Sequence, residues 1–324
     1  AAFRRDIEDP GTVTQFANLV GTEERLKLLC LLTLADVDGV GPDVMTPWKE
    51  EMLWRLFVET YNRLTLKYGD DLIADGDSLR NDINNQKPED ISQQELTQFL
   101  EGYPQRYLRL VDPPHVYEHV RLSRNLKLRE VHASLTKTEA AWELITIAVD
   151  QPKLFANICG VLSYFGMDIL RGQAMANEKG VVLDLFQFQD REDYLRLNTA
   201  AEQELIDLLG DVVAGKIDIT SKLEGRTRSQ KHKLPPGNLK PVIRFNNHYS
   251  RRFTVMEIVA ENALGLLHQI SQAISSEHCD IELVLISTQG IQALDVFHLT
   301  SDGEKLSDAT QASLEETLHS TLQT

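Results

Sequence analysis

The chain has 324 residues, of which 42% are hydrophobic and 25% are charged, and its formal net charge is −16 at pH 7. These values are typical of a globular protein of two or three domains. The negative charge argues against a nucleic-acid-binding surface, since phosphate binding needs a basic face, and the apolar runs are too short to span a membrane.

Three cysteines, Cys30, Cys159 and Cys279, lie far apart in apolar or helical contexts. They show no metal-type spacing, so we interpret them as buried thiols in a reducing cytoplasm. We expect a cytoplasmic protein without nucleic-acid or membrane partners. The first residues, AAFRRDIEDPG, contain no initiator Met and no signal-peptide pattern, which predicts a fragment of a longer protein.

The segment 1–66 predicts only helices, over 9–21, 22–36 and 46–64. The second of these, TEERLKLLCLLTLAD, is apolar nearly all round beyond Leu26 and predicts a central, buried helix. Asp36 closes the apolar run, before a predicted break at DGVGPDVM. Burying an isolated carboxylate is costly, so the residues alone leave Asp36 open as a helix cap, turn former, salt-bridge partner or metal ligand.

Residues 67–138 predict a helical linker. SQQE at 92–95 is a capping box, and a short helix is predicted over 112–122. His115 and His119 share a face of that helix, and we interpret them as structural because no third ligand is near in sequence. The basic stretch at 226–233 predicts a solvated loop.

From about residue 139 the pattern is β-α-β-β-α, and the same order returns from residue 250. Six positions recur at one constant offset along the chain: Leu154, Phe155, Ile158, Leu162, Asp168 and Ile169 match Leu266, Leu267, Ile270, Ile274, Asp280 and Ile281. Asp184 and Asp295 recur within the later strands, and we interpret them as charges on an exposed face. The repetition predicts a duplication.

The two units resemble tandem ACT domains, small ferredoxin-like modules that bind amino acids. The N-terminal part resembles the end of the HD phosphohydrolase domain in bacterial PII-protein uridylyltransferase/uridylyl-removing enzymes. The resemblance lies in RRDIEDPG and in the later LTLAD, GP and WK. YPQRYLRLVDPPHVYEH and PVIRFNNHYSRRFTVMEIVA resemble that family's linker and the junction between its ACT domains.

The resemblance implies an α+β fold, with an all-α segment from the end of an HD domain followed by two ferredoxin-like βαββαβ ACT domains. Its implied boundaries are 1–66 for the HD helices, 67–138 for the helical linker, 139–249 for a first ACT domain with a returning strand, and 250–324 for the second.

The resemblance also implies that Asp36 is the last ligand of the HD metal site. There a divalent cation, Mg²⁺ or Mn²⁺, activates water to remove UMP from the PII protein. The first histidine here is His115, so the other HD ligands are missing. We therefore expect no bound metal and no activity from this segment alone, with the nucleotidyltransferase and hydrolase activities belonging to the intact parent.

For the ACT loops, the resemblance implies binding of glutamine or another amino acid. The family pattern is Asp-Arg-Pro-Gly-Leu, whereas the first loop has Asp150, Gln151, Pro152, Lys153 and Leu154, and the second has Asn262, Ala263, Leu264, Gly265 and Leu266. Lys153 either blocks its pocket or supplies a cation to it. The second loop is the favoured site, because Gly265 leaves backbone amides open to a ligand carboxylate. Asp168 and Asp280 either neighbour the effector or form turns.

Two alternatives remain open at this point. The first is an HD-type hydrolase of another lineage, such as an alarmone hydrolase, which also pairs HD and ACT domains. The second is a non-catalytic module for effector binding and dimerisation, since the last unit lacks an obvious fourth strand and predicts a sheet edge open to self-association.

Overall fold

The structure is a computed structural model, and it describes residues 13, 16, 19–20, 23–40, 52–54, 56–57, 60–61, 76–104, 107–108, 111–138, 141–230, 240–248, 250, 252–289 and 292–322. The chain divides into two compact units, residues 1–79 and residues 80–324. The stretch 1–10, the stretch 41–50 with the rest of the predicted break, and residues 231–233 of the basic stretch lie outside the described ranges.

Helix α1 of the first unit spans Glu23–Val40 and therefore continues past Asp36 into the first three residues of the predicted break at 38–45. Leu26 and Cys30, one turn apart, are buried. Four other leucines of α1 are between 43% and 66% exposed: Leu28, Leu29, Leu31 and Leu32. The prediction of a helix buried all round is wrong for this unit, because only one stripe of α1 is packed.

Helices of the described part of the second unit that precede the sheet are α2 (Gly76–Asn85, which begins at the end of the first unit), α3 (Gln93–Leu100) and α4 (Pro113–Ser123). The predicted capping residue is confirmed, since the Ser92 side chain accepts a hydrogen bond from the Glu95 amide. The Asp112 side chain caps α4 in the same way through the His115 amide.

Eight strands form one sheet: β1 (Val131–Lys137), β2 (Trp142–Val149), β3 (Asp168–Ala176), β4 (Val181–Gln189), β5 (Val242–Asn246), β6 (Thr254–Glu261), β7 (Asp280–Gln289) and β8 (Gln292–Thr300). Their spatial order is β1-β2-β4-β3-β7-β8-β6-β5, and every neighbouring pair is antiparallel. The remaining helices are α5 (Leu154–Tyr164), α6 (Tyr194–Leu197), α7 (Ala201–Val213), α8 (Ile219–Gln230), α9 (Leu266–Ser276) and α10 (Asp308–Leu322).

The predicted duplication is visible as two repeats, which we define as residues 131–213 and 242–322. The strand, helix and strand at 142–176 recur in the same order at 254–289. The α+β class, with helices followed by two such repeats, is confirmed.

The edge strands differ from the prediction. Strand β1 lies within the segment predicted to be a helical linker. Strand β5, predicted to return to the first repeat, pairs instead with β6 of the second. The fourth strand position of each repeat is thus filled by the strand that precedes it in the chain, and the predicted vacant position in the last repeat is occupied by β5.

Two smaller predictions also differ. The single long helix predicted to follow β4 is divided into α6 and α7. Residues 226–230, predicted as a loop, belong to α8.

The two repeats meet where β3 pairs with β7, through Arg171↔Leu285, Gly172↔Val284 and Gln173↔Leu283. Helices α5 and α9 lie on one face of the sheet and pack against each other across this seam. Their apolar side chains join one hydrophobic core with the sheet, including Ile158, Phe186, Ile270 and Phe297. The seam is therefore continuous in backbone hydrogen bonds and in side-chain packing.

Hydrogen bonds join α3 and the residues after it to the β3–β4 turn. The Asn177 side-chain amide donates to the Phe99 carbonyl at 2.9 Å, and the Tyr103 hydroxyl donates to the Val181 carbonyl at 2.9 Å. The same turn accepts the Asp150 amide at the Gly180 carbonyl, at 2.8 Å. The turn thus connects the helical segment to the loop that starts at Asp150.

The seam generates a stability prediction at Gly172. A Cβ there would lie 2.8 Å from Phe155 Cζ, 3.0 Å from Phe186 Cε1 and 3.0 Å from Val284 Cγ1. We expect Gly172→Ala to lower the free energy of unfolding by about 1–3 kcal/mol, because overpacking displaces neighbouring groups. Urea unfolding followed by circular dichroism measures the change.

Gly210→Ala is the matched control. Gly210 lies within α7, and an added Cβ meets no atom within 4 Å. Alanine is expected to raise the free energy of unfolding there by about 0.5–1 kcal/mol, because it is the better helix former. A Gly172→Ala variant as stable as the parent would contradict close packing at the seam.

Candidate functional site

The loops that begin α5 and α9 share an uncommon backbone conformation. Lys153 precedes α5 with φ +66°, and Gly265 precedes α9 with φ +80°. Glycine adopts this left-handed conformation readily, whereas a residue with a side chain is strained. The two loops are therefore equivalent in geometry although their sequences differ.

Each loop lies across the seam from the start of a strand in the other repeat. The first pocket, a cavity of about 490 Å³, is lined by residues 150–156 of the first repeat and 278–282 of the second. The second pocket, about 270 Å³, is lined by residues 262–267 of the second repeat and 166–169 of the first. Neither pocket is complete within one repeat.

Each pocket therefore combines predicted site residues from both repeats. Asp280 lies with the loop of Asp150, Gln151, Lys153 and Leu154. Asp168 lies with the loop of Asn262, Ala263, Leu264, Gly265 and Leu266. Sequence reasoning treated each repeat as a separate site, because the pairing of β3 with β7 is a tertiary contact that no local pattern indicates.

The second pocket contains an ion pair between the Arg191 guanidinium and the Asp168 carboxylate. Asp168 is 23% exposed and Arg191 is 64% exposed, so the pair lies at the pocket rim. Arg191 was not among the predicted site residues. It follows β4, and only folding brings it beside the start of β3.

In the first pocket, Lys153 is one of the lining residues, and it is exposed. Its backbone amide donates to Ser275 Oγ of α9 at 3.2 Å. The amide that a glycine would offer to a ligand is already bonded.

Two carboxylates were misplaced by the sequence analysis. Asp184 and Asp295 are 1% and 2% exposed, and they line the first and the second pocket respectively. The prediction of an exposed face is wrong for both. Asp184 lies two residues from Phe186 on the same strand face, and Phe186 is part of the core. That spacing was the signal that could have revealed the burial.

Burial raises the pKa of Asp184 to about 8 and that of Asp295 to about 7. The Thr146 hydroxyl donates to Asp184 Oδ2 at 3.4 Å, which opposes the shift in the pKa of Asp184. Within the described part of the chain, the Oδ1 atom of each aspartate has no hydrogen-bond partner. A buried oxygen without a partner beside a cavity is a potential ligand contact.

Comparison with known proteins gives the chain's relationships. No protein-family model matches it. A bifunctional uridylyltransferase/uridylyl-removing enzyme from Gluconobacter oxydans (strain 621H) is 30% identical over 333 residues, which cover 99% of this chain and 35% of the relative. An enzyme of the same name from Bradyrhizobium diazoefficiens is 29% identical over 308 residues, covering 92% of this chain and 32% of the relative.

The chain is a relative of the bifunctional uridylyltransferase/uridylyl-removing enzymes. The resemblance predicted from the sequence is thereby confirmed, and it extends along nearly the whole chain. The chain spans about a third of the length of the curated relatives it matches.

The resemblance to the uridylyltransferase/uridylyl-removing enzymes implies that Asp36 of this chain is a metal ligand. The Asp36 side chain is exposed on α1, so no cation is needed to offset its burial, and the assignment of Asp36 as a ligand stays a prediction from the resemblance. Among the described residues, no group of three or more His, Cys, Asp or Glu side chains is arranged to hold a metal ion. These residues do not fit a metal site, and we assign no hydrolytic step to them.

The remaining predicted features have structural explanations. His119 Nδ1 lies 2.9 Å from the Tyr107 hydroxyl, and burial lowers the pKa of His119 to about 4, in agreement with a structural role. Cys30, Cys159 and Cys279 are buried free thiols, as predicted. None of the helices in the described ranges combines the length and hydrophobicity needed to cross a bilayer.

The buried carboxyls predict how stability depends on pH. An ordinary Asp titrates near 3.9, so the unfolded chain releases these protons first. The stability contributed by protonated Asp184 and Asp295 is full below about pH 4 and is lost as pH rises through the folded values of about 8 and about 7. We expect Asp184→Asn and Asp295→Asn each to raise the free energy of unfolding above pH 8 by about 1–3 kcal/mol, because an uncharged amide avoids the cost of a buried charge.

Thermal and urea unfolding across that pH range test this expectation. The advantage of each variant is expected to shrink towards about pH 4. Asp207→Asn, at an exposed position on α7, is the control and is expected to change the free energy of unfolding by less than about 0.5 kcal/mol. If the free energy of unfolding changed with pH in the same way in the parent and the variants, neither carboxyl would retain its proton on folding.

Proposed function

We propose that residues 80–324 form the amino-acid-sensing region of a uridylyltransferase/uridylyl-removing enzyme and that the second pocket is its glutamine site. One observation carries the proposal: the pocket joins the Gly265 loop of one repeat to the Asp168–Arg191 pair of the other. The similarity to two enzymes of that name supports the choice of parent activity over an alarmone hydrolase or a non-catalytic module.

The chemistry of the second pocket suits a zwitterion. The Leu266 amide at the start of α9 donates to the Ala263 carbonyl at 3.1 Å, whereas the next N–H groups of the first turn have no partners within the helix. Gly265 adds no side chain beside them. A ligand carboxylate is favoured at such a helix start. The Asp168 carboxylate, held by Arg191, provides an acceptor for the ligand ammonium group.

The selectivity for glutamine rests on neutral polar groups. Asn262 lines the loop side of the second pocket, and its side-chain amide both donates and accepts hydrogen bonds. A ligand carboxamide is matched by such a group. Glutamate would add a second carboxylate near Asp168 and the buried Asp295.

Regulation follows from the location of the pocket. A ligand that contacts both repeats stabilises one arrangement of the seam, and it changes the enzyme's state if its affinity differs between two arrangements. In the parent enzyme this difference would bias the addition of UMP to the PII protein against its removal, which is the role that the family resemblance implies.

Calorimetry on this chain tests the proposal. We expect glutamine to bind at one site, with glutamate at least about tenfold weaker, a difference of about 1.4 kcal/mol. Asp168→Asn is expected to weaken glutamine binding at least about tenfold, because the ammonium group loses a charged acceptor.

Asp280→Asn is the matched control, since Asp280 occupies in the first pocket the position that Asp168 occupies in the second. It is expected to leave glutamine affinity unchanged. Absence of heat at millimolar glutamine would remove the sensing claim. Loss of binding in Asp280→Asn but not in Asp168→Asn would move the glutamine site to the first pocket.

A further inference from the structure

The duplication provides an internal comparison between the two pockets, because corresponding positions keep a constant offset along the chain that shortens by one at the hairpin. Asp280 corresponds to Asp168, and the buried Asp184 corresponds to Asp295. The charged groups around these corresponding aspartates differ between the two pockets. Asp150 of the first pocket stands where the second has Asn262.

Three further exchanges change the charge in the same region. Glu282 corresponds to Leu170 in the other repeat, and Asp302 corresponds to Arg191. The exchange of Lys153 for Gly265 has the opposite effect, because it adds a positive charge to the first pocket. Each exchange except the last makes the first pocket more negative than the second.

The result is a strongly acidic cavity. Five carboxyl groups line the first pocket, with Lys153 and His278 as its basic side chains: Asp150, Asp184, Asp280, Glu282 and Asp302. Two carboxyl groups, Asp168 and Asp295, line the second pocket together with Arg191. The groups at the first pocket interact, since burial and then the charges of Asp150, Glu282 and Asp302 raise the pKa of Asp280.

A second observation points from this acidic cluster to a ligand. Asp184 lines the cavity at 1% exposure, and its Oδ1 has no hydrogen-bond partner among the described residues. Its Oδ2 accepts a long hydrogen bond from the Thr146 hydroxyl, at 3.4 Å. A buried oxygen that lacks a hydrogen-bond partner is stabilised by a ligand donor that enters the cavity.

The spacing of the carboxylates favours an organic cation over a metal ion. The acidic groups surround a cavity of about 490 Å³. No group of three of them, within the described ranges, converges on a point that would hold a metal. Separated acceptors suit a molecule that carries positive charge at more than one position.

We propose that the first pocket binds a dibasic amino acid, a ligand with two ammonium groups and one carboxylate, and is a site distinct from the second pocket. The ammonium groups lie against Asp184 within the cavity and against the carboxylates at its rim, around Asp280. The ligand carboxylate lies towards Lys153 at the start of α5. Lys153 supplies the positive charge there, because its own backbone amide is engaged by Ser275.

Calorimetry with L-lysine, L-glutamine, L-glutamate and MgCl₂ tests this assignment on the whole chain. We expect L-lysine to bind at one site, also when the second pocket is saturated with glutamine, and to bind at least about tenfold more tightly there than L-glutamate. Added salt is expected to weaken lysine binding, because the attraction is largely between partly exposed charges.

Variants locate the site. Asp280→Asn and Asp184→Asn are each expected to weaken L-lysine binding at least about fivefold, since each replaces a carboxyl beside a ligand ammonium group with an uncharged amide. Asp168→Asn, at the corresponding position of the second pocket, is expected to leave lysine affinity unchanged while it weakens glutamine. Asp207→Asn controls for the change in net charge at an exposed position. Thermal unfolding of each variant verifies that the fold is retained.

Three results would overturn the inference: no heat with L-lysine at millimolar concentrations, equal affinity for L-lysine and L-glutamate, or lysine binding unaffected by Asp280→Asn. Binding of Mg²⁺ that is lost in Asp280→Asn would replace the dibasic amino acid with a metal ion. Loss of lysine binding alone leaves the glutamine proposal intact, and failure of glutamine binding alone leaves this one intact.

Discussion

Both pockets depend on the antiparallel pairing of β3 with β7, which joins the two repeats into one sheet. The pairing opposes Gly172 to Val284, and the absence of a side chain at Gly172 leaves room for Phe155, Phe186 and Val284 to pack beside it. A one-residue shift in register would turn every side chain of a strand to the other face. The register thus determines which loop faces which strand start, and with it the composition of each pocket.

The seam also explains why two repeats make two sites. In each pocket, one repeat provides the left-handed loop at a helix start, and the other provides an aspartate at the start of a strand. Neither half has its partner groups before the repeats associate. A ligand in either pocket therefore stabilises the paired arrangement, which is the physical basis for a regulatory role. On the first side, the β3–β4 turn further ties the Asp150 loop to the Phe99 carbonyl of α3 through a short series of hydrogen bonds.

The repeats have kept one unfavourable feature and changed the groups around it. Asp184 and Asp295 are buried carboxyls on corresponding strands, and a hydrophobic residue at either place would pack without the cost of desolvating a charge. Retention of such groups in both cavities is typical of sites where binding rather than stability decides the residue. The charged positions at the pocket rims are free to differ, because rim substitutions have little effect on the packed sheet between them.

Several features of this protein were accessible from sequence alone. The duplication, the α+β class, the capping of α3 by Ser92, the buried thiols and the family resemblance all depend on local spacing or on linear similarity. The loops of Lys153 and Gly265 were located through that resemblance, whereas their shared left-handed backbone was seen only in the structure.

Other features were decided only by tertiary structure. The edge positions of β1 and β5, the exposure of α1 and Asp36, and the burial of Asp184 and Asp295 depend on what packs against each element. The grouping of Asp168 with Gly265, and of Asp280 with Lys153, arises where distant strands pair across the seam. The sequence determined which residues each repeat offers to a ligand. The pairing of the repeats decided which of them meet, because a hydrogen-bonded register between strands far apart in the chain has no signature in the local order of side chains.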